Sequence, residues 1–168
     1  MAERSAPPHS AVPRQLAVCG DGNPGTPYLE AARTAGRLVA EAGMVLLTGG
    51  MTGVMSAASE GARAAGGLVG AVVPGADPGS TVAPAQVRIA TGAGEARNVM
   101  LVRSADAVIA IGGGYGTLSE IAVARKLGIP VFGYRTWGAE HPDTGEALLT
   151  ECATIEAAVS GAVAAARR

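Results

Sequence analysis

Lysine is almost absent from this chain: Lys126 is the one lysine among thirteen basic residues, and the rest are arginine. Chemistry that runs through a Schiff-base lysine therefore has a single candidate. Cysteine is scarce too. Cys19 and Cys152 make no disulfide framework, and neither has a Cys or His partner at metal-ligand spacing. The two histidines, His9 and His141, each adjoin a proline in loop-like surroundings, so no metal site is expected. Aromatic residues amount to 3%, which leaves few stacking platforms for a single-stranded nucleic acid. The net charge of −1 argues against holding nucleic acid or anionic lipid by bulk charge. No run approaches the ~18 apolar residues of a membrane span, and the first residues lack the apolar core of a signal peptide. The expectation is a cytoplasmic protein with neither a nucleic-acid nor a membrane partner.

What is present is apolar and rich in glycine. Of 168 residues, 48% are hydrophobic and 16% charged, which excludes disorder and a solvated coiled coil. Residues 1–14 hold three prolines and few large apolar groups, and read as a flexible tail. Residues 15–168 read as one domain. Short apolar runs at 16–19, 44–47, 68–73, 87–90, 107–111 and 129–134 predict buried strands. Residues 147–152 suggest a short edge strand. Helical periodicity covers 28–42, 54–65, 95–104 and the stretch after Gly116 up to Leu127, and Thr154 can cap a last, Ala-rich helix. Strands apolar on both faces and alternating with helices imply a doubly wound α/β fold. Its sheet would be mostly parallel, with six to seven strands and helices on both faces, Rossmann-like in outline.

Three glycine clusters follow predicted strands: Gly20–Gly22, Gly49-Gly50 with Gly53, and Gly112–Gly116. In a doubly wound sheet they would share the edge where ligands bind. The run Gly112-Gly113-Gly114-Tyr115-Gly116-Thr117-Leu118-Ser119-Glu120 can bring free helix amides and a positive dipole end up to a phosphate. Thr117 would cap the helix or donate its hydroxyl. Glu120, one turn later, faces the same mouth, but repels phosphate and suits a polar or cationic part of a ligand. The same residues equally suit a tight strand–helix turn with a Thr117–Glu120 capping box. The second cluster is neither a dinucleotide fingerprint nor a Walker loop; close helix–sheet packing explains it equally well. Arg97 opens the helix before the fifth strand, where a guanidinium can clamp phosphate. Arg103, further along, reads as a surface ion-pair partner.

Val18-Cys19-Gly20, Pro27-Tyr28, Gly49-Gly50-x-x-Gly53-Val54-Met55, Ala65-Gly66-Gly67 and Val73-Pro74 together resemble the Lonely Guy (LOG) family, whose members are often labelled lysine decarboxylases. That family pairs a Glu-Arg-Lys segment with Pro-Gly-Gly-x-Gly-Thr-x-x-Glu. Here the first falls on Ala96-Arg97-Asn98 and the second on Gly112 to Glu120, and the likeness spans about residues 15–135. It implies a Rossmann-like homodimer that hydrolyses the N-glycosidic bond of a nucleoside 5′-monophosphate. Arg97 and Glu120 would be the catalytic pair. Gly20, Gly49, Gly50, Gly53, Gly113, Gly114, Gly116 and Thr117 would hold the phosphorylated ligand. A carboxylate beside the sugar would stabilise oxocarbenium-like charge. Ala96, Asn98, Gly112 and Asp21 depart from the pattern. They fit better a side branch that resembles the molybdenum cofactor carrier proteins, which bind a phosphate-bearing pterin without needing to convert it. The alternative is therefore a carrier or sensor, and a third reading is an interaction module with vestigial loops. No cofactor is required; the bound molecule expected is a nucleotide or a molybdopterin-type ligand. Lysine decarboxylation gains no support, because Lys126 lies at the far end of its helix.

Overall fold

The computed structural model describes residues 13–166. Its strands are β1 (Gln15–Gly20), β2 (Val45–Thr48), β3 (Val69–Val73), β4 (Val87–Ala90), β5 (Ala107–Ile111), β6 (Val131–Tyr134) and β7 (Thr150–Glu151). They form one seven-stranded sheet in the order β4-β3-β2-β1-β5-β6-β7. Every pairing between them is parallel. The helices are α1 (Leu29–Glu41), α2 (Val54–Ala64), α3 (Arg97–Arg103), α4 (Tyr115–Lys126) and α5 (Ile155–Ala166).

Alternation along each central strand sorts the core into two layers. Leu16, Val18, Leu46, Val69, Ile109 and Ile111 face α1, α2 and α5. Ala17, Cys19, Leu47, Val72, Val108 and Ala110 face α3 and α4. Leu16, Ile109 and Ile111 are fully buried, and each such side chain contributes about 1.5–3 kcal/mol. α1 and α2 approach backbone to backbone. A Cβ on Gly36 would overlap the Ala58 carbonyl, and one on Gly61 would overlap the Arg33 carbonyl. Only glycine fits at both crossings.

The doubly wound α/β architecture is as expected, and the differences are local. β7 is confined to two residues of the predicted 147–152 run, because the preceding loop is closed by an antiparallel bridge from Glu140 to Ala147. β4 is not buried as expected: it is a sheet edge, with Val87 46% and Ile89 49% exposed. The predicted 95–104 helix is a 3-10 turn at Gly94–Ala96 followed by α3. Thr154 does cap α5, accepting a hydrogen bond from the Ala157 amide at 3.2 Å. The predicted flexible tail lies outside the described residues except for Pro13 and Arg14, and Arg14 pairs with Asp106 at 3.0 Å. Among the described residues no helix is long and apolar enough to cross a membrane.

Candidate functional site

Strand order reverses between β1 and β5, and ligands in such sheets bind beyond the carboxyl ends of the strands at that point. A cavity of about 260 Å³ opens there. Gly20 and Asp21 leave β1 on one side, and Gly114, Gly116, Thr117 and Glu120 of the α4 start lie on the other. Arg97 and Asn98 of α3 complete the wall.

The start of α4 differs from the capping expectation. The helix begins at Tyr115 with Gly114 as its N-cap, and no side chain caps it. Thr117 therefore sits inside the first turn, so neither a Thr117 cap nor a Thr117–Glu120 capping box exists. The amides of Tyr115, Gly116 and Thr117 precede the first intrahelical bond, from the Leu118 amide to the Gly114 carbonyl at 3.1 Å. Such amides, with the dipole behind them, favour an anion. A Cβ on Gly114 or Gly116 would meet only open space, so both glycines leave the approach to those amides clear.

Arg97 is 8% exposed, and its guanidinium lies over Gly49, where a Cβ would overlap Nη1. Thr48 shapes that turn by accepting a hydrogen bond from the Gly50 amide at 3.2 Å. Nη1 of Arg97 stands 3.5 Å from Oε1 of Glu120, a pair that is almost entirely buried. Yet neither Nε nor Nη1 of Arg97 makes a hydrogen bond. Two orphaned donors on one buried cation are costly, since buried polar groups are ordinarily satisfied.

Glu120 is 5% exposed. Burial raises its carboxyl from 4.5 to about 7, against the opposing pull of Arg97 and the Cys19 thiol, and Glu95 adds to the rise. Cys19 itself is held well above the usual thiol range, chiefly by burial and then by the Glu120 charge. It is therefore an inert thiol rather than a nucleophile. The cavity is thus polarised. The free amides of the α4 start lie on one wall and Asp21 on the other, while the Arg97 guanidinium sits against Glu120. A molecule with a phosphate at one end and hydroxyl or N–H donors at the other matches both sides.

Of the residues singled out in the sequence, Arg97, Glu120, Thr117, Gly20, Gly114 and Gly116 come together here. Gly49 stands beneath Arg97 rather than on the wall. Gly50 and Gly53 pack loops: Gly50 offers its carbonyl to the Val82 amide at 2.9 Å, and a Cβ on Gly53 would overlap the Asp21 carbonyl. Gly113, at φ 103, makes room for the Thr117 side chain. Arg103 is exposed, with no carboxylate within ion-pair distance among the described residues, so the expected surface ion pair is absent. Asp21, Gly22, Met55, Glu95 and Asn98 also line the cavity. Gly22 belongs to the first glycine cluster, and Asn98 to the Ala96-Arg97-Asn98 segment. Met55 closes the recognised Gly49–Met55 motif, whereas Glu95 gave no local signal, because its loop meets the others only in the fold. Among the described residues no cluster of three His, Cys, Asp or Glu could hold a metal ion.

A molybdenum cofactor binding protein of the phototrophic bacterium Rippkaea orientalis superposes with a TM-score of 0.80 at 34% identity, covering 89% of this chain and 95% of that one. The Moco carrier protein of Chlamydomonas reinhardtii superposes at 0.79 with 31% identity, covering 92% and 98%. DNA processing protein A of Helicobacter pylori shares the fold alone, at 19% identity and a TM-score of 0.64 over 89% of this chain and 80% of that one. An uncharacterized protein of Archaeoglobus fulgidus is 47% identical over 114 residues, 68% of this chain and 75% of that protein. The model of the SLOG cluster4 family matches residues 13–162, nearly the whole described domain with its cavity-lining loops, and the chain belongs to that family.

Proposed function

We propose that this protein is a carrier of a small phosphorylated ligand of the molybdenum cofactor type. The phosphate would lie against the amides of Tyr115, Gly116 and Thr117, and Arg97 would turn to it the donors that make no hydrogen bond. The observation that carries this reading is the pair of buried Arg97 nitrogens that make no hydrogen bond, one of them 3.5 Å from the Glu120 carboxylate, beside an uncapped helix start. An arriving phosphate satisfies both at once. Asp21, Glu95 and Glu120 would accept hydrogen bonds from hydroxyl or N–H groups of the same molecule. The likeness to two molybdenum cofactor proteins supports a ligand of that class.

The test is calorimetric titration of the protein with purified molybdenum cofactor, followed by analysis of the recovered ligand. Saturable binding with the ligand unchanged is the expected result. Arg97→Met should weaken it on the order of ten-fold to a hundred-fold, as losing a charge-assisted hydrogen bond does. Absence of binding to folded protein would overturn the proposal.

One observation favours a second reading, N-glycosidic hydrolysis of a nucleoside 5′-monophosphate. A carboxyl with a pKa of about 7 beside a guanidinium can exchange a proton and stabilise positive charge on a ribose. Against it stand Ala96 and Asn98, where the hydrolases carry a glutamate and a lysine. Incubation with AMP decides: release of adenine and ribose 5-phosphate, abolished in Glu120→Gln, would favour this second reading over the carrier.

A further inference from the structure

A second groove of about 510 Å³ adjoins the phosphate cavity, and Asp21 lies on the wall of both. It is lined by Tyr28, Gly112, Gly113, Arg135, Thr136 and Trp137. The first cavity, at about 260 Å³, suits a phosphate with a small polar fragment, so a larger ligand must continue elsewhere. The groove holds aromatic surface out of proportion to the composition. The whole chain has one Phe, one Trp and three Tyr. Tyr28 and Trp137 line the groove, and Tyr115 stands against Trp137 with ring centroids 5.7 Å apart and planes tilted by 34°.

This aromatic wall is anchored to the loop that would hold the phosphate. The Trp137 indole N–H donates to the Gly114 carbonyl at 3.1 Å, and Gly114 is the N-cap of α4. The Thr136 hydroxyl donates to the Gly112 carbonyl at 2.5 Å. Arg135, the one non-glycine residue with positive φ among the described residues, at 47°, turns the chain after β6 so that both bonds form. A residue held in that region costs free energy and persists where surroundings enforce it. Tyr115 is 82% exposed, a large apolar ring left in water on the first turn of α4.

We propose that Tyr115 and Trp137 form the seat for the planar heteroaromatic ring of the ligand, a purine or pterin, with Asp21 at the junction accepting a hydrogen bond from the linker or ring. The inference rests on the phosphate reading above and adds the ligand's second half: a phosphorylated molecule with a flat, conjugated ring. Ring faces tolerate many bases, so the seat selects for planarity rather than for one pattern of donors.

The experiment compares ribose 5-phosphate with three ring-bearing probes: AMP, GMP and 6-hydroxymethylpterin phosphate. Trp137 is the only tryptophan, so its fluorescence reports directly on the groove. At least one ring-bearing probe should quench it saturably, and ribose 5-phosphate should bind in calorimetry without comparable quenching. Tyr115→Ala removes the exposed ring and keeps the main-chain amide, so it should weaken the ring-bearing probe on the order of ten-fold and ribose 5-phosphate far less. Trp137→Phe keeps a ring without the indole N–H and should retain most of the affinity. If Tyr115→Ala weakens ribose 5-phosphate equally, the pair merely shapes the phosphate loop and the inference fails. If the ring-bearing probes bind no better than ribose 5-phosphate, the inference also fails while the phosphate reading stands. If nothing binds, both fall.

Discussion

At the scale of single residues, the Arg97–Glu120 pair decides the character of the cavity. Glu120 has a folded pKa of about 7 against 4.5 in the free side chain. Between those values the folded protein holds a proton that the unfolded chain has released. Stability is therefore greatest below pH 4.5 as far as this group is concerned, falls as pH rises towards 7, and levels off above it. The full swing is on the order of 3 kcal/mol. Glu120→Gln removes the charge and keeps the shape. Denaturant unfolding at pH 5 and pH 8 should show a smaller difference for Glu120→Gln than for the parent, with the variant more stable at pH 8. A pH dependence identical to the parent's would contradict the burial argument. Gly49 is the companion case. Gly49→Ala forces the guanidinium off its bed and should cost both stability and affinity for phosphate, read by thermal melts and by titration with ribose 5-phosphate.

At the scale of elements, glycine plays opposite parts in different places. Gly114 faces open space with unstrained backbone, at φ −99. Gly114→Val should fold, at a cost of no more than about 1 kcal/mol for the cap, while crowding the amides of the α4 start. Ribose 5-phosphate affinity should fall at least ten-fold; unchanged affinity would move the ligand elsewhere. Gly36 faces the Ala58 carbonyl of the neighbouring helix. Gly36→Ala must push α1 from α2, and should destabilise by about 1–3 kcal/mol, since overpacking of a close-packed contact is not relieved locally. A chemical denaturation midpoint equal to the parent's would refute that close approach. The two substitutions separate the glycines that admit a ligand from those that admit a helix.

At the scale of the whole molecule, the cavity gathers loops from β1, from the turn before α3 and from the start of α4. A ligand held there would therefore join segments far apart in the chain, and binding should resist global unfolding. At a hundred-fold excess over Kd the added stability is about 2.7 kcal/mol, which for a domain of this size raises Tm by roughly 5–10 °C. Differential scanning fluorimetry with the molybdenum cofactor checks this, and a flat response at saturating ligand would overturn it.

The sequence by itself determined the fold class and half of the candidate cavity. Runs such as residues 107–111 are apolar at every position, which only a sheet covered on both faces can bury, and their alternation with helical periods implies parallel strands. The glycine–helix junction at Gly112–Glu120 could be read because amide approach to an anion demands that local chemistry. Local chemistry could not separate glycines that leave the cavity open from packing ones. Gly49, Gly50 and Gly53 look like Gly114 and Gly116 in the chain, and only the placement of Arg97, Val82 and Asp21 around them tells the two sets apart. Nor could spacing show that α4 starts two residues before Thr117, that Glu120 would be buried against Arg97, or that Trp137 would return to the Gly114 carbonyl. The last two depend on contacts between residues 22 or 23 positions apart, set by strand order and loop packing. Desolvation, orphaned donors and ring proximity exist only once those distant segments meet.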